Sequence, residues 1–427
     1  MAPTETLHRF GRPQFPVILA YVLAVLSSLS AAQTATTLHV FTGGTDGGSP
    51  SASVSFDSKG NLYGTTWYGG DLACGGGAGC GVIFEEAAPA TSGGAWTYSA
   101  LYSFTGGSDG CCQLSTPAID SQGRLYGVTN NSIGGQGLFQ FAPVTGGTWQ
   151  FTRLHTFDDP ATYGTQTPLS LDKAHRIYAA SYYGGLPGCN YSGGCGSVVQ
   201  FVPPAIKGGA WTENTVYLFQ GGADGGNPSS PLVAGAKGVF YDSAAVGGLV
   251  TANCPLGCGV VYQLTPPASI GGSWTETVIY TFQDKPDGAD PYYLTAGPSG
   301  SLYGLACCHG PASLFHVFQL IPPALGHTQW TKAFIHSFSN TSDGANNIVM
   351  ASNGVIFGAA FGSLDFSGGD VFQLTPPATR GGTWSYRSFT NLGPSRNPNG
   401  VTPGPFGALY GTLNGGDSDA GLVFSLR

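Results

Sequence analysis

Short apolar runs, four to eight residues long, alternate along the chain with clusters of Gly, Pro, Ser, Asn and Asp. This pattern predicts strands joined by tight turns. The runs recur in a fixed order. "LYG" at Leu62 returns as "LYG" at Leu125, "IYA" at Ile177, "VFY" at Val239, "LYG" at Leu302, "IFG" at Ile356 and "LYG" at Leu409, in steps of 63, 52, 62, 63, 54 and 53 residues by subtraction. A second run follows each of these, from "GVIFEEA" through "GVVYQLTP" and "DVFQLTP" to "LVFSLR". A third takes forms such as "TLHVFTGG", "ALYSFTGG" and "TVYLFQGG", and a fourth is "SASVSFD", "STPAID" or "TPLSLD".

Four candidate strands in a unit repeated seven times predict an all-β fold, a seven-bladed β-propeller with four antiparallel strands per blade. One unit cannot bury both faces of its sheet; its neighbours around the axis do so. That explains why Phe84, Phe139, Phe318 and Phe372 keep one place in every copy. Counting outward, the "TPLSLD" piece is read as innermost, then "LYGTT", then "VFQL", with the Trp-led run outermost. The chain begins with an isolated outer strand, Thr37–Phe41, and stops at Arg427 after a third strand. The first strand is therefore expected to complete the last blade and close the ring, which removes an open sheet edge.

"GNLYGTTWYGG", "GVVYQLTPP" and "LYSFTGGSDG" resemble the GloVer-type tandem repeats of extracellular bacterial proteins, over nearly the whole mature chain. The resemblance implies export and a repeat architecture, and it implies no activity. Members of that family often end in an anchoring segment, whereas this sequence ends in "GLVFSLR".

Composition agrees with strands and turns. Charged residues are 9%, Gly is 69 of 427 and Pro 29, against a typical charged share of about 25%. Arg9 and Arg12 precede an apolar run from Phe15 to about Leu29, and "SAA" places cleavage after Ala32. Residues 1–32 thus read as a signal peptide, the alternative being a retained membrane anchor, and 33–427 as one propeller domain in a secreted, extracellular or periplasmic protein. Removing Arg9, Arg12 and Glu5 takes Lys+Arg from 15 to 13 and Asp+Glu from 23 to 22, a net charge of −9. An acidic chain without a basic patch is a poor partner for nucleic acid. A monomer without cofactor, and without a membrane association after cleavage, is expected.

Ten cysteines behind an export signal read as disulfides before metal ligands. Cys74 with Cys80, Cys189 with Cys195, and Cys254 with Cys258 form local couples in Gly-rich loops. Cys111–Cys112 and Cys307–Cys308 are adjacent in sequence; each pair is either a vicinal disulfide or two thiols, the disulfide being the expectation although a trans peptide holds its Cα atoms closer than the usual range.

The repeat is an internal control: a residue present in several copies serves the blade rather than one site. His39, His155 and His336 share an outer-strand place with Tyr102, Tyr217 and Tyr280, as packed rings with a polar edge. Glu85 replaces Gln140, Gln200, Gln263, Gln319 and Gln373. Asp46, Asp109, Asp224, Asp287 and Asp343 recur before Gly between blades, as Asx turns; the sharper reading, calcium, has one carboxylate per loop where six to eight oxygens are needed. The residues left as binding candidates are Trp67, Tyr68 and Asp71 in blade one and Tyr182 and Tyr183 in blade three, aromatic platforms suited to sugar rings or to covering sheet ends.

Two functional classes follow. The first is a binding or scaffold module for a glycan or a cell-surface protein, from which a ligand-free structural repeat is indistinguishable by sequence. The second is a polysaccharide hydrolase or lyase using residues without repeat equivalents: His309, Asp158, Asp159, Asp417 and Asp419.

Overall fold

The middle strands of each unit are buried on both faces and the outer strands on one, which is the burial pattern of sheets stacked face to face. Leu62–Tyr68 and Ile177–Ser181 are buried almost throughout, whereas Thr97–Ser103 alternates towards solvent. The computed structural model describes residues 35–113, 115–130, 136–157, 167–189, 193–206, 208–269, 271–307, 314–338, 344–361, 369–379, 381–389, 397–414 and 420–427, with backbone alone at Cys112, Gln113 and Asn130. These residues form seven antiparallel sheets, the blades of a seven-bladed β-propeller.

Within a blade the order from the axis outward is the one the repeat predicts. Blade five runs Ala289–Ala296, Leu302–Cys307, His316–Ile321, Thr331–Ser337. In blades one, two and four the innermost strand is split; in blade one Gly48–Pro50 and Ser55–Phe56 both pair with Leu62–Tyr68. The last blade holds Asn397–Pro403, Leu409–Asn414 and Leu422–Leu426, and its fourth strand is the N-terminal Ala35–Val40. The register Ala35↔Leu426, Thr37↔Phe424, Val40↔Leu422 closes the ring.

The glycine of "LYG" has a steric cause. A Cβ on Gly64, Gly304 or Gly358 would overlap the ring of Phe84, Phe318 or Phe372 on the neighbouring strand. Leaving it out lets the large ring lie flat against the second strand and fill the space between sheets. Blade four departs from this, and here the sequence alignment needs correction by one residue. Phe240 pairs with Leu264 as Leu62 pairs with Glu86 and Leu125 with Phe141, so Phe240, not Val239, is the equivalent of Leu62. With side-chain period two, that slip exchanges the faces of the strand. Asp242 therefore stands in the glycine's place.

Near the axis, side chains of one blade donate hydrogen bonds to backbone carbonyls of the next. Ser55 Oγ donates to Pro117 O (2.5 Å), Ser170 Oγ to Leu232 O (2.7 Å), Ser229 Oγ to Pro291 O (2.9 Å) and Tyr292 Oη to Ala345 O (2.9 Å). Asn346 Nδ2 reaches Pro398 O (2.8 Å), and across the closure Asn399 Nδ2 reaches Pro50 O (2.6 Å). These bonds satisfy inner-edge carbonyls that no strand pairs, and they fix one blade against the next.

At the rim a second contact repeats. The His or Tyr near the end of one outer strand meets the residue two places after the Trp on the next blade. His39 stacks on Tyr98 with centroids 3.7 Å apart, Tyr102 on Phe151 at 5.0 Å, and His336 on Tyr386 at 4.1 Å. His155 pairs with Glu213 (Nε2 to Oε2, 2.6 Å). Lys332, its side chain 4% exposed, binds Asp287 at 2.8 Å and lies over the rings of Phe282 and Tyr280. The position tolerates aromatic, acidic and basic residues because each can engage a ring that carries a polar edge.

Candidate functional site

The loops entering each inner strand and those leaving each second strand lie on one face, joined by bonds such as Gly70 N to Gly44 O and Gly248 N to Gly222 O (both 2.9 Å). In the entering loops the repeated aspartates are occupied by their own loop. Asp109 accepts hydrogen bonds from Tyr102 Oη (2.9 Å), Thr105 N (2.8 Å) and Thr105 Oγ1 (2.7 Å). Asp224 accepts from Tyr217 Oη (3.1 Å) and Gln220 N (2.9 Å), and Asp287 from Tyr280 Oη (2.8 Å) and Gln283 N (3.0 Å). Asp46 binds His39 Nε2 (3.2 Å) and Thr42 N (2.9 Å). These carboxylates brace the outer strand against the turn, and among the described residues no three His, Cys, Asp or Glu side chains cluster as metal ligands.

Three disulfides staple the leaving loops: Cys74–Cys80, Cys189–Cys195 and Cys254–Cys258, with Cα separations of 5.6, 4.8 and 5.1 Å. Cys111 and Cys307 are disulfide-bonded as well. Cys308 and the side chain of Cys112 lie outside the described residues, as do the expected signal segment 1–32 and the candidates Asp158, Asp159, His309, Asp343, Asp417 and Asp419.

The blade-one candidates resolve into separate roles. Tyr68 packs its ring over Gly48, where a Cβ would collide with it. Asp71 Oδ1 accepts the Ala73 N–H at 3.0 Å and shapes its own turn. Trp67 is 36% exposed. None of the three lines either of the two clefts on the blade three to six side.

The larger cleft, about 570 Å³, is walled by Tyr182, Tyr292, Phe315 and Phe361, with Asp290 and Asn346 as polar groups and the Cys254–Gly257 loop and Cys307 along one side. The smaller, about 420 Å³, is lined by Thr167, Pro168, Tyr182, Tyr183, Pro228, Ser229, Pro231 and Tyr293. Both volumes fall in the range that holds small ligands. Tyr182 belongs to both, so one sequence candidate sits at the centre of the site and Tyr183 at its edge. Tyr292, Tyr293, Asp290, Phe315 and Phe361 were missed. The "YY" of blade five, where blade four has "SSP", was the readable signal.

The repeat also separates scaffold from specialisation at Asp290. Its φ of 46° matches 49° at Ser49 and 56° at Asn227, and its N–H donates to Cys258 O as theirs do to Ala420 O and Cys195 O. The backbone shape belongs to every such blade; the carboxylate in a cleft wall belongs to blade five alone among these three. Tyr293, at φ 53°, has no such parallel. It lies within a register shift between Tyr292 and Thr295, and a bulge of this kind re-aims side chains.

Among the described residues, burial raises the carboxyl groups of Glu86, Asp242 and Glu276 to about 7. Asp242, fully buried, accepts from Tyr262 Oη (2.8 Å) and Ser243 N (2.6 Å), while Ser230 adds a further bond. Glu86 is also fully buried, and neither of its oxygens has a hydrogen-bond partner.

No family model and no curated protein matches the chain. Among solved structures it is similar to a fungal alcohol oxidase of the AA5 family in complex with copper, at 12% identity and TM-score 0.54, covering 92% of this chain and 75% of that one. It is also similar to the PQQ-bound aldose sugar dehydrogenase of Streptomyces coelicolor, at 13% identity and TM-score 0.45, covering 73% of this chain and 92% of that one. The apo aldose sugar dehydrogenase of Escherichia coli matches at 14% identity and TM-score 0.41, over 69% of this chain and 92% of that one. At such identities the shared property is the propeller fold.

Proposed function

We propose that the protein is an extracellular saccharide-binding propeller whose ligand occupies the cleft lined by blades three to six. The observation that carries this reading is the composition of the cleft wall: rings of Tyr182, Tyr292, Phe315 and Phe361 beside the carboxylate of Asp290 and the amide of Asn346. Flat apolar rings suit the C–H face of a pyranose, and a carboxylate and an amide suit its hydroxyls. Three loop disulfides and the resemblance to GloVer-type repeats support an extracellular setting. The test is a glycan array followed by calorimetry on Tyr182→Ala. Binding in the native protein with at least about a tenfold loss in the variant is expected; an array without signal overturns the reading.

A second reading, a saccharide-acting enzyme, is favoured by one feature, the Asp290 carboxylate in the cleft wall. Asp290 is the one carboxylate among the described lining residues, whereas glycosidases ordinarily use a pair. Turnover of any bound saccharide that disappears in Asp290→Asn while binding persists would establish this reading over simple recognition.

A further inference from the structure

Two neighbouring clefts with shared walls raise the question of whether they act separately. Tyr182 lines both, and the consecutive residues Tyr292 and Tyr293 line one cleft each. The Tyr182 and Tyr183 rings meet edge to face, with centroids 4.8 Å apart. Pro228, Ser229 and Pro231, from the innermost part of blade four, place the second cleft on the axial side, whereas Phe315 and Phe361, from the loop side of blades five and six, belong to the first. A ligand in one cleft therefore touches the same ring as a ligand in the other.

We infer that the two clefts are consecutive subsites for a single linear oligosaccharide, with Tyr182 as the shared stacking platform and Tyr183 and Tyr293 as the walls of the second subsite. This rests on the saccharide reading above and adds a length requirement to it. The backbone at Tyr293 supports it independently. A bulky residue at positive φ is a true outlier, and such conformations persist where a surrounding structure holds them for a purpose. Here the register shift falls at the two consecutive tyrosines that line the two adjacent clefts, and a bulge of this kind re-aims side chains. Ser229 lines the second subsite, and its hydroxyl already donates to Pro291 O. The hydroxyl is thereby held in a fixed orientation and can accept a hydrogen bond from a sugar.

The experiment uses matched mono-, di- and tetrasaccharides of each linkage carried by the array, followed by calorimetry on the strongest series. Affinity is expected to rise at least about tenfold from mono- to tetrasaccharide. Tyr183→Ala, at a ring 42% exposed and therefore safe for folding, is expected to lower tetrasaccharide affinity about three- to tenfold. The loss is expected to be smaller for the monosaccharide, which needs the first cleft alone. Tyr293→Phe, which keeps the ring, retains the length dependence. Equal affinity for all lengths, or an equal loss for all lengths in Tyr183→Ala, overturns the two-subsite inference while leaving saccharide recognition intact. Absence of binding at every length overturns both.

Discussion

Blade one and blade four each bury a carboxyl group where the repeat keeps no charge, and the surroundings treat the two differently. Asp242 takes the glycine's place in blade four, and the phenylalanine that covers that glycine elsewhere has become Tyr262, whose hydroxyl binds it at 2.8 Å. Two changes together replace a Gly–Phe contact by a hydrogen-bonded Asp–Tyr pair. Glu86 pairs across the sheet with Leu62 just as Phe141 pairs with Leu125 and Leu264 with Phe240, so it stands in a core position of the repeat. No second change accompanies it: both oxygens are buried without a hydrogen bond. A buried polar group costs little when its partners come with it and much when they do not.

Four changes break or sharpen this contrast. The largest effect is expected from Asp242→Gly alone, which strands the Tyr262 hydroxyl and opens space beside it. Denaturant melts should show a loss of about 3 kcal/mol, and the double variant with Tyr262→Phe should recover most of it. An additive double variant would show that the pair is not coupled. Next is Glu86→Leu, which restores the residue type of the other blades. A gain of about 1–3 kcal/mol is expected from removing an unsatisfied buried group; destabilisation would mean that Glu86 has a partner.

The third is a pH effect. A carboxyl raised to about 7 in the folded protein keeps its proton where the unfolded chain, at its ordinary value near 4, has lost it. Its contribution therefore becomes steadily more unfavourable as pH rises from about 4 through 7, then levels off. His39, His316 and His336, all lowered by burial, act oppositely below about 6.5. The informative quantity is the difference in melting temperature between native protein and Glu86→Leu, which should widen from pH 5 to pH 8. A constant difference would rule out titration of Glu86 as its cause. The smallest effect belongs to Glu86→Gln, which keeps the buried polar group but abolishes its ionisation. It should match the native protein near pH 4 and exceed its melting temperature at pH 8.

Much of the fold was readable, for reasons visible in single residues. "LYG" identifies second strands because the glycine is required under a phenylalanine ring in blades one, five, six and seven. Where Asp242 replaces it, the landmark vanishes and the frame slips by one, since Val239 and Phe240 are equally suited to begin a strand. Glu86 was obscured by its neighbour. Glu85 matched the recurring Gln, and Tyr63 Oη does donate to it at 2.8 Å as Gln140 and Gln200 donate to their tyrosines. The adjacent carboxyl, one residue on and facing the other way, was the departure that mattered.

The candidate site was less legible. Tyr182 and Tyr183 stood out because they follow a second strand, but Trp67 and Tyr68 did so equally, and only the structure separates the pair that lines the two described clefts from the pair that lines neither. Blade number, strand order, ring closure and the three loop disulfides were determined by sequence, because each copy carries that information locally and the copies corroborate one another. Convergence of Tyr182, Asp290, Tyr292, Phe315 and Phe361 was decided by tertiary structure. These residues come from three blades, and their meeting depends on how each sheet packs on the next and on the bulge at Tyr293, neither of which leaves a periodic mark in the chain.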